Sequence, residues 1–211
     1  RRVKAKLEGY TMEPSRTLRD YPDTDHSVYA HYARAYAYHK GGYPAKADAE
    51  AAALIKADPT DPYFQEIQGQ ILLEAGKPDQ ALEPLRKATE GSRSNPLIAT
   101  TYGHALIATE DKSKYDEAIK VLRVAVGRDD DNPFAWYQLG TAYELTGDTA
   151  RAALATAERA SMTGDPRTAL QRAQIAMAGI PKNTSDWIRA QDIAMTAQNE
   201  MDDNPKKYKR R

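Results

Sequence analysis

The chain has 211 residues, with 30 basic and 30 acidic side chains and no formal net charge. That balance excludes a basic field directed at nucleic acid as the principal partner. There is no Cys, which excludes thiol catalysis, disulfides and Cys-based zinc sites. No apolar run approaches the roughly 18 residues needed to span a bilayer, so membrane insertion is not expected.

Residues 1–26 stand apart from the rest. Val3 to Glu8 is predicted as a helix, and "YTMEPSRTLRDYPDTD" (Tyr10 to Asp25) as an irregular, Pro-punctuated connection. Because the chain starts at Arg1 rather than at Met, this segment reads as a link from an upstream domain. The basic ends, Arg1, Arg2, Lys4 and Lys6 and then Lys206, Lys207, Lys209, Arg210 and Arg211, read as solvated tails rather than nucleic-acid arms.

From Ser27 onward the chain repeats. Asp61-Pro62, Asn95-Pro96, Asn132-Pro133 and Asp165-Pro166 each pair a helix N-cap with Pro at the first helical position. These caps are 34, 37 and 33 residues apart, and Ser27 lies 34 before Asp61. Gly69, Gly103 and Gly140 sit eight residues after their caps, with Ala35 in that place in the first unit. Gly42, Gly76 and Gly147 follow and are expected to end the first helices, as Gly does past a helix C-terminus. Ala47, Ala81, Ala118 and Ala152 then open a second helix. The longer third unit places its extra residues in "EDKSKYD" (Glu110 to Asp116), between its helices.

Period, caps and small residues together predict an all-α tetratricopeptide-repeat helical solenoid. Its four units cover 27–60, 61–94, 95–131 and 132–164. The fourth carries W-x2-L-G-x2-Y as Trp136, Leu139, Gly140 and Tyr143. Residues 165–211 form a degenerate fifth unit or cap, with one helix over Pro166–Ala178 and another from Thr184 or Ser185. Its stripe is Trp187, Ala190, Ala194, Ala197 and Met201, ahead of the basic tail.

Catalytic chemistry finds no support. His26, His31, His39 and His104 include no pair at the four-residue spacing of H-E-x-x-H, and no carboxylate flanks His31 and His39 to complete a site. Asp129-Asp130-Asp131 lacks the Gly and terminal Glu of an EF-hand and falls in an inter-repeat turn. No phosphate loop and no G-x-S-x-G occurs. "NTS" (Asn183 to Ser185) is formally a glycosylation triplet but doubles as a helix cap. The chain itself is expected to be non-catalytic, with no metal or other cofactor of its own.

A binding surface is the better expectation. Positions 2, 5, 9 and 12 after each cap share one face of the first helix, which would line a concave groove. They are Tyr29, Tyr32, Tyr36 and His39; Tyr63, Glu66, Gln70 and Leu73; Leu97, Thr100, His104 and Ile107; and Phe134, Tyr137, Thr141 and Glu144. A Tyr-lined groove suits a protein or peptide ligand. The first unit admits two registers. The 34-residue spacing puts its tyrosines in the groove and Arg34 in a core position; a slide of two residues makes Tyr29, Tyr32 and Tyr36 core and moves Arg34 out. Tyr32 and Tyr36 also replace the Lys and Asn of repeats that grip C-terminal carboxylates, which argues against a chaperone-tail clamp.

Five strings are more specific: "KLEGY" (Lys6 to Tyr10), "TLRDYP" (Thr17 to Pro22), "DPYFQEIQGQILLEAGK" (Asp61 to Lys77), "FAWYQLGTAY" (Phe134 to Tyr143) and "RAQDIA" (Arg189 to Ala194). Together they resemble the C-terminal half of bacterial periplasmic zinc metallopeptidases related to the CAAX prenyl protease. In that family an H-E-x-x-H peptidase domain precedes a tetratricopeptide domain. The resemblance implies a periplasmic location and a domain that holds substrates or assembly partners for the peptidase in envelope quality control and outer-membrane assembly. Residues 1 to about 25 would pack on the peptidase in cis, and zinc would belong to that domain alone. A free-standing tetratricopeptide adaptor or co-chaperone, which leaves the cytoplasm open, fits composition and period equally well.

Overall fold

The computed structural model describes residues 2–203, with side chains from Lys4 onward. Arg1, the side chain of Arg2, and the tail residues Lys206, Lys207, Lys209, Arg210 and Arg211 lie outside the described residues. The described residues form twelve α-helices and one 3-10 turn, with no strand. The fold is an all-α tetratricopeptide helical solenoid. The chain divides into two compact units, residues 1–109 and 110–211, with the boundary falling inside the third repeat.

The first unit holds α1 (Arg2–Thr11), α2 (Pro14–Asp20), α3 (Val28–Lys40), α4 (Pro44–Ala57), α5 (Pro62–Glu74), α6 (Pro78–Gly91) and α7 (Pro96–Ala108). The caps act as the residue types dictate. Ser27 Oγ accepts from the Ala30 N–H at 3.2 Å, Asp61 Oδ1 from Tyr63 at 2.9 Å and Asn95 Oδ1 from Leu97 at 3.1 Å. Gly42 and Gly76 take φ of 78° and 74°, left-handed values that close α3 and α5 without steric cost. At the end of α7 no Gly is available, and Glu110 takes φ 57° there.

Small residues set how closely helices pack. A Cβ on Gly69 would meet Leu85 Cγ at 2.4 Å, so only Gly lets α5 lie this close to α6. Tyr32, Tyr36, Leu54, Phe64, Ile67 and Ile71 are buried together in the core of this unit. One expectation for the N-terminal segment is corrected here: it is not irregular throughout Tyr10 to Asp25, because Pro14 starts α2 where its missing N–H costs nothing. α1 packs against α3, with a Cβ on Gly9 falling 2.7 Å from the Ala33 carbonyl oxygen.

The second unit holds the 3-10 turn Lys112–Lys114, α8 (Tyr115–Arg128), α9 (Pro133–Thr146), α10 (Thr149–Met162), α11 (Pro166–Gly179) and α12 (Ser185–Asp203). The turn takes up the extra residues of the third repeat. Asn132 Oδ1 caps α9 by accepting from both Phe134 and Ala135 at 3.1 Å, and Gly147 closes it at φ 82°. Trp136, Leu139 and Tyr143 are buried on the inner side of α9. The last three helices share an alanine-rich core that includes Ala157, Ala169, Ala173, Ala176, Ala190 and Ala197. Ala burial permits close packing at little rotamer cost. Thr184 caps α12, its Oγ1 accepting from the Trp187 N–H at 3.3 Å.

Candidate partner-binding faces

In the first unit the 34-residue register holds. Ser27 is the cap of α3, and Arg34 occupies the core position seven residues on, 1% exposed. Its Nε donates to Glu50 Oε1 at 2.8 Å and its Nη1 to the Pro22 and Asp25 carbonyls at 2.8 Å each. Glu50 Oε2 also lies 2.6 Å from His31 Nδ1. The carboxylate missing from the sequence around His31 therefore comes from α4.

Keeping this register does not leave the first tyrosines open. Tyr32 is 1% and Tyr36 4% exposed, so both are core residues rather than open groove residues. Tyr32 packs on the Phe64 ring, with centroids 5.7 Å apart. Tyr36 lies beneath α1, edge-on to Tyr10, and burial followed by the neighbouring Tyr32 pushes its phenol pKa well up. Thr100 is likewise buried, its hydroxyl returned to the Pro96 carbonyl. Tyr29, Tyr63 and Leu97 remain exposed, Leu97 at 63%.

Between α1, α3 and α5 the structure opens a hollow of about 540 Å³ lined by Tyr10, Tyr36, His39, Lys40, Gln70 and Glu74. His39 Nε2 is 2.6 Å from Glu74 Oε2, and Gln70 Nε2 donates to Glu74 Oε1 at 3.0 Å. Burial holds the His104 imidazole pKa below its ordinary value, with the charge of Glu74 acting in the opposite sense. Lys40 and Glu74 fall outside the expected groove positions, although the helical period could have placed them, each one turn beyond Tyr36 and Gln70. Tyr10 was not, since it arrives from α1.

Lys6, also from α1, reaches the same face. Its Nζ is 3.2 Å from Glu66 Oε2, 5.9 Å from the Tyr36 ring centroid and 5.7 Å from that of Tyr63. Both rings are within cation–π range.

In the second unit Phe134, Tyr137 and Glu144 are exposed and Thr141 is half-buried on the outer face of α9. The Arg159 guanidinium lies 5.2 Å from the Tyr137 ring centroid. A separate cavity of about 490 Å³ lies among α8, α9, α10 and α12, with Trp136, Leu139, Arg123 and Arg151 in its wall. Arg123 Nη1 and Arg151 Nε donate to Asp186 Oδ2 at 3.2 and 2.8 Å. Burial would raise the Asp186 carboxyl pKa, but the hydrogen bonds from Arg123 and Arg151 outweigh it and hold the group below its usual value. Arg189 pairs with Glu158 and Asp130 and stacks over Trp136. Burial pushes the Glu158 pKa up despite Arg189. None of these α12 partners shows a local sequence signal, because they join residues 31 to 63 positions apart.

Among the described residues no group of three or more His, Asp or Glu could hold a metal ion, and no helix is long and apolar enough to cross a membrane. His31 and His39 each face a single carboxylate, on different helices, which does not fit a zinc site.

These faces belong to a repeat scaffold whose first helices carry the exposed side chains. A tetratricopeptide-repeat family profile matches residues 32–96 and 108–166. The chain belongs to the tetratricopeptide-repeat family, whose domains mediate protein–protein interaction and are typically non-catalytic. No curated protein matches it. Among solved structures it is similar to YrrB, described as a tetratricopeptide protein with an unusual peptide-binding site (TM-score 0.64, 20% identity, covering 82% of this chain and 90% of that one). It is also similar to the type IV pilus biogenesis factor PilW (0.65, 14%, 96% and 91%) and to MamA from Desulfovibrio magneticus RS-1 (0.60, 15%, 84% and 96%). At such identities these likenesses show the shared fold.

Proposed function

We propose that this chain is a partner-binding domain that holds unfolded substrates or assembly partners for a zinc metallopeptidase of the bacterial envelope. The observation that carries the binding reading is a recurrence. The second position after each of four caps is an exposed large apolar residue: Tyr29, Tyr63, Leu97 and Phe134. Exposed apolar side chains recurring at one helix position mark docking positions within each compact unit. YrrB, described by a peptide-binding site, and PilW, described as a type IV pilus biogenesis factor, lend support by analogy of fold. The peptidase association, the periplasmic location and a zinc ion held upstream rest on the resemblance of the five strings.

The packing of α1 on α3 favours a second reading, an adaptor with no peptidase in cis, since α1 is engaged by the repeats themselves. Sequencing the gene upstream of Arg1 separates the two: an H-E-x-x-H segment behind a signal peptide supports the first, and its absence sinks it. Binding itself is tested with an unfolded outer-membrane β-barrel precursor. The expected result is saturable binding to the full chain, weakened in Leu97→Asp and in Phe134→Asp, each tested alone; undiminished binding by both variants would refute a role for these exposed apolar positions.

A further inference from the structure

The way α1 is held says what its seat recognises. Only Ala5 and Gly9 of α1, one turn apart, are buried among its described side chains, while Leu7 and Tyr10 are 55% and 63% exposed. A helix serving only to cap the unit would turn its large apolar residues inward. This one instead presents two small residues and a cation. Gly9 lets its backbone reach the Ala33 carbonyl, and Lys6, one turn earlier, enters a cradle of two tyrosine rings and the Glu66 carboxylate. Helices of about 12 residues or fewer are marginal alone, so the ten residues of α1 depend on this seat for their structure. The apolar burial of α1 from Lys4 onward is confined to Ala5 and Gly9, and the rest of the hold is polar or edge-on: Tyr21 donates to Glu8 Oε2 at 2.5 Å, the Thr17 hydroxyl to the Glu8 carbonyl at 3.2 Å, and the Tyr10 ring meets Tyr36. A hollow of about 540 Å³ stays open beside Tyr10 and Tyr36 with α1 in place.

We propose that the cradle of Tyr36, Tyr63 and Glu66 is a binding site for a basic side chain of a helical partner peptide that carries Gly or Ala three residues further on, and that α1 occupies this site in cis until such a partner displaces it. This deepens the partner-binding reading and rests on it. Complementary charge selects the cation, the two rings select its position, and the Ala33 carbonyl excludes a bulky residue at the crossing point. The tether gives α1 a high effective concentration, so a free competitor must match its chemistry and exceed the contacts α1 makes.

The test uses the full chain and a fluorescein-labelled peptide of residues 2–12, RVKAKLEGYTM. Gly9→Leu unseats α1 by steric clash, and Lys6→Glu, run beside it, does so by charge without adding bulk. Hydrogen exchange of residues 2–11 reports the unseating, and anisotropy reports peptide binding. Both variants are expected to lose protection over residues 2–11 and to bind the peptide at least tenfold more tightly than the wild-type chain. Glu66→Lys in the Gly9→Leu background should weaken that binding at least tenfold. Equal affinity for wild type and both variants, or binding indifferent to Glu66→Lys, would overturn the proposal. So would retained protection in both variants, no binding by chains whose α1 exchanges freely, or dimers formed by α1 exchange. Each of these outcomes leaves the partner-binding reading standing, because that reading is tested on precursor proteins at Leu97 and Phe134.

Discussion

Arg34 on α3 and Glu50 on α4 form an ion pair inside the first repeat, the guanidinium Nε 2.8 Å from one carboxylate oxygen and Nη2 3.0 Å from the other. Arg34 takes the position that Leu139 fills in the fourth repeat. It is tolerated because its remaining donors satisfy the Pro22 and Asp25 carbonyls of the segment entering α3. Replacing Arg34 with Ala leaves Glu50 with His31 alone and strands those carbonyls, and is expected to cost about 3 kcal/mol. Arg34→Leu with Glu50→Leu should recover only part of this, because the carbonyls stay unpaired. Urea unfolding of both variants decides the matter; full recovery in the double variant would remove any role for the carbonyls.

Tyr36 and Leu97 occupy groove positions by sequence but differ in burial, and alanine should separate them. Tyr36→Ala removes a core ring and is expected to destabilise by about 3 kcal/mol or more. Leu97→Ala should stay within about 0.5 kcal/mol and act on partner binding instead. Thermal unfolding read beside precursor binding checks both; a stable Tyr36→Ala chain would contradict the burial described.

Gly69 and Gly140 hold the same repeat position but face different neighbours. A Cβ at Gly140 would rest at 3.4 Å from Ala155 Cβ, an ordinary contact, whereas one at Gly69 would collide with Leu85. Gly140→Ala is therefore expected to stabilise by up to about 1 kcal/mol through helix propensity. Gly69→Ala should cost about 1–3 kcal/mol by overpacking. Opposite shifts in melting temperature are the signature to look for, and shifts of the same sign would show that α6 moves freely.

The Asp186 clamp makes the anchoring of α12 sensitive to acid. The folded pKa of this group is depressed below the unfolded value of about 3.9. Its contribution is thus present above that value and lost as pH falls through the folded one. Glu158 is raised, so its protonation favours the folded state as pH drops from neutral, and only below about 3.9 should the loss at Asp186 dominate. Hydrogen exchange along α12 should show reduced protection in that acid range. Asp186→Asn should show the reduction already at neutral pH and little further change on acidification. An acid response that survives in Asp186→Asn would assign it to another group.

The sequence made the helices of the repeats legible because their signals are local. Ser27, Asp61, Asn95 and Asn132 cap helices with their own side chains, and Gly42, Gly76 and Gly147 close them through their own φ. The exposed position after each cap followed from the period as well. The fate of Tyr32 and Tyr36 did not follow, because it depends on α1 and α5 rather than on α3. The second helix at Pro14 was hidden by a segment whose Pro and acidic residues look like a loop.

By itself the sequence determined the repeat period, the cap of each first helix and the small residues at the crossings, all set within a few residues by backbone conformation and helix periodicity. Only the tertiary structure decided that α1 sits on α3, that Lys6 meets Glu66 across 60 residues, that Arg34 finds Glu50, and that Arg123 and Arg151 share Asp186. Those pairings depend on which surfaces packing brings together, and single-chain periodicity carries no record of partners so far apart in the chain.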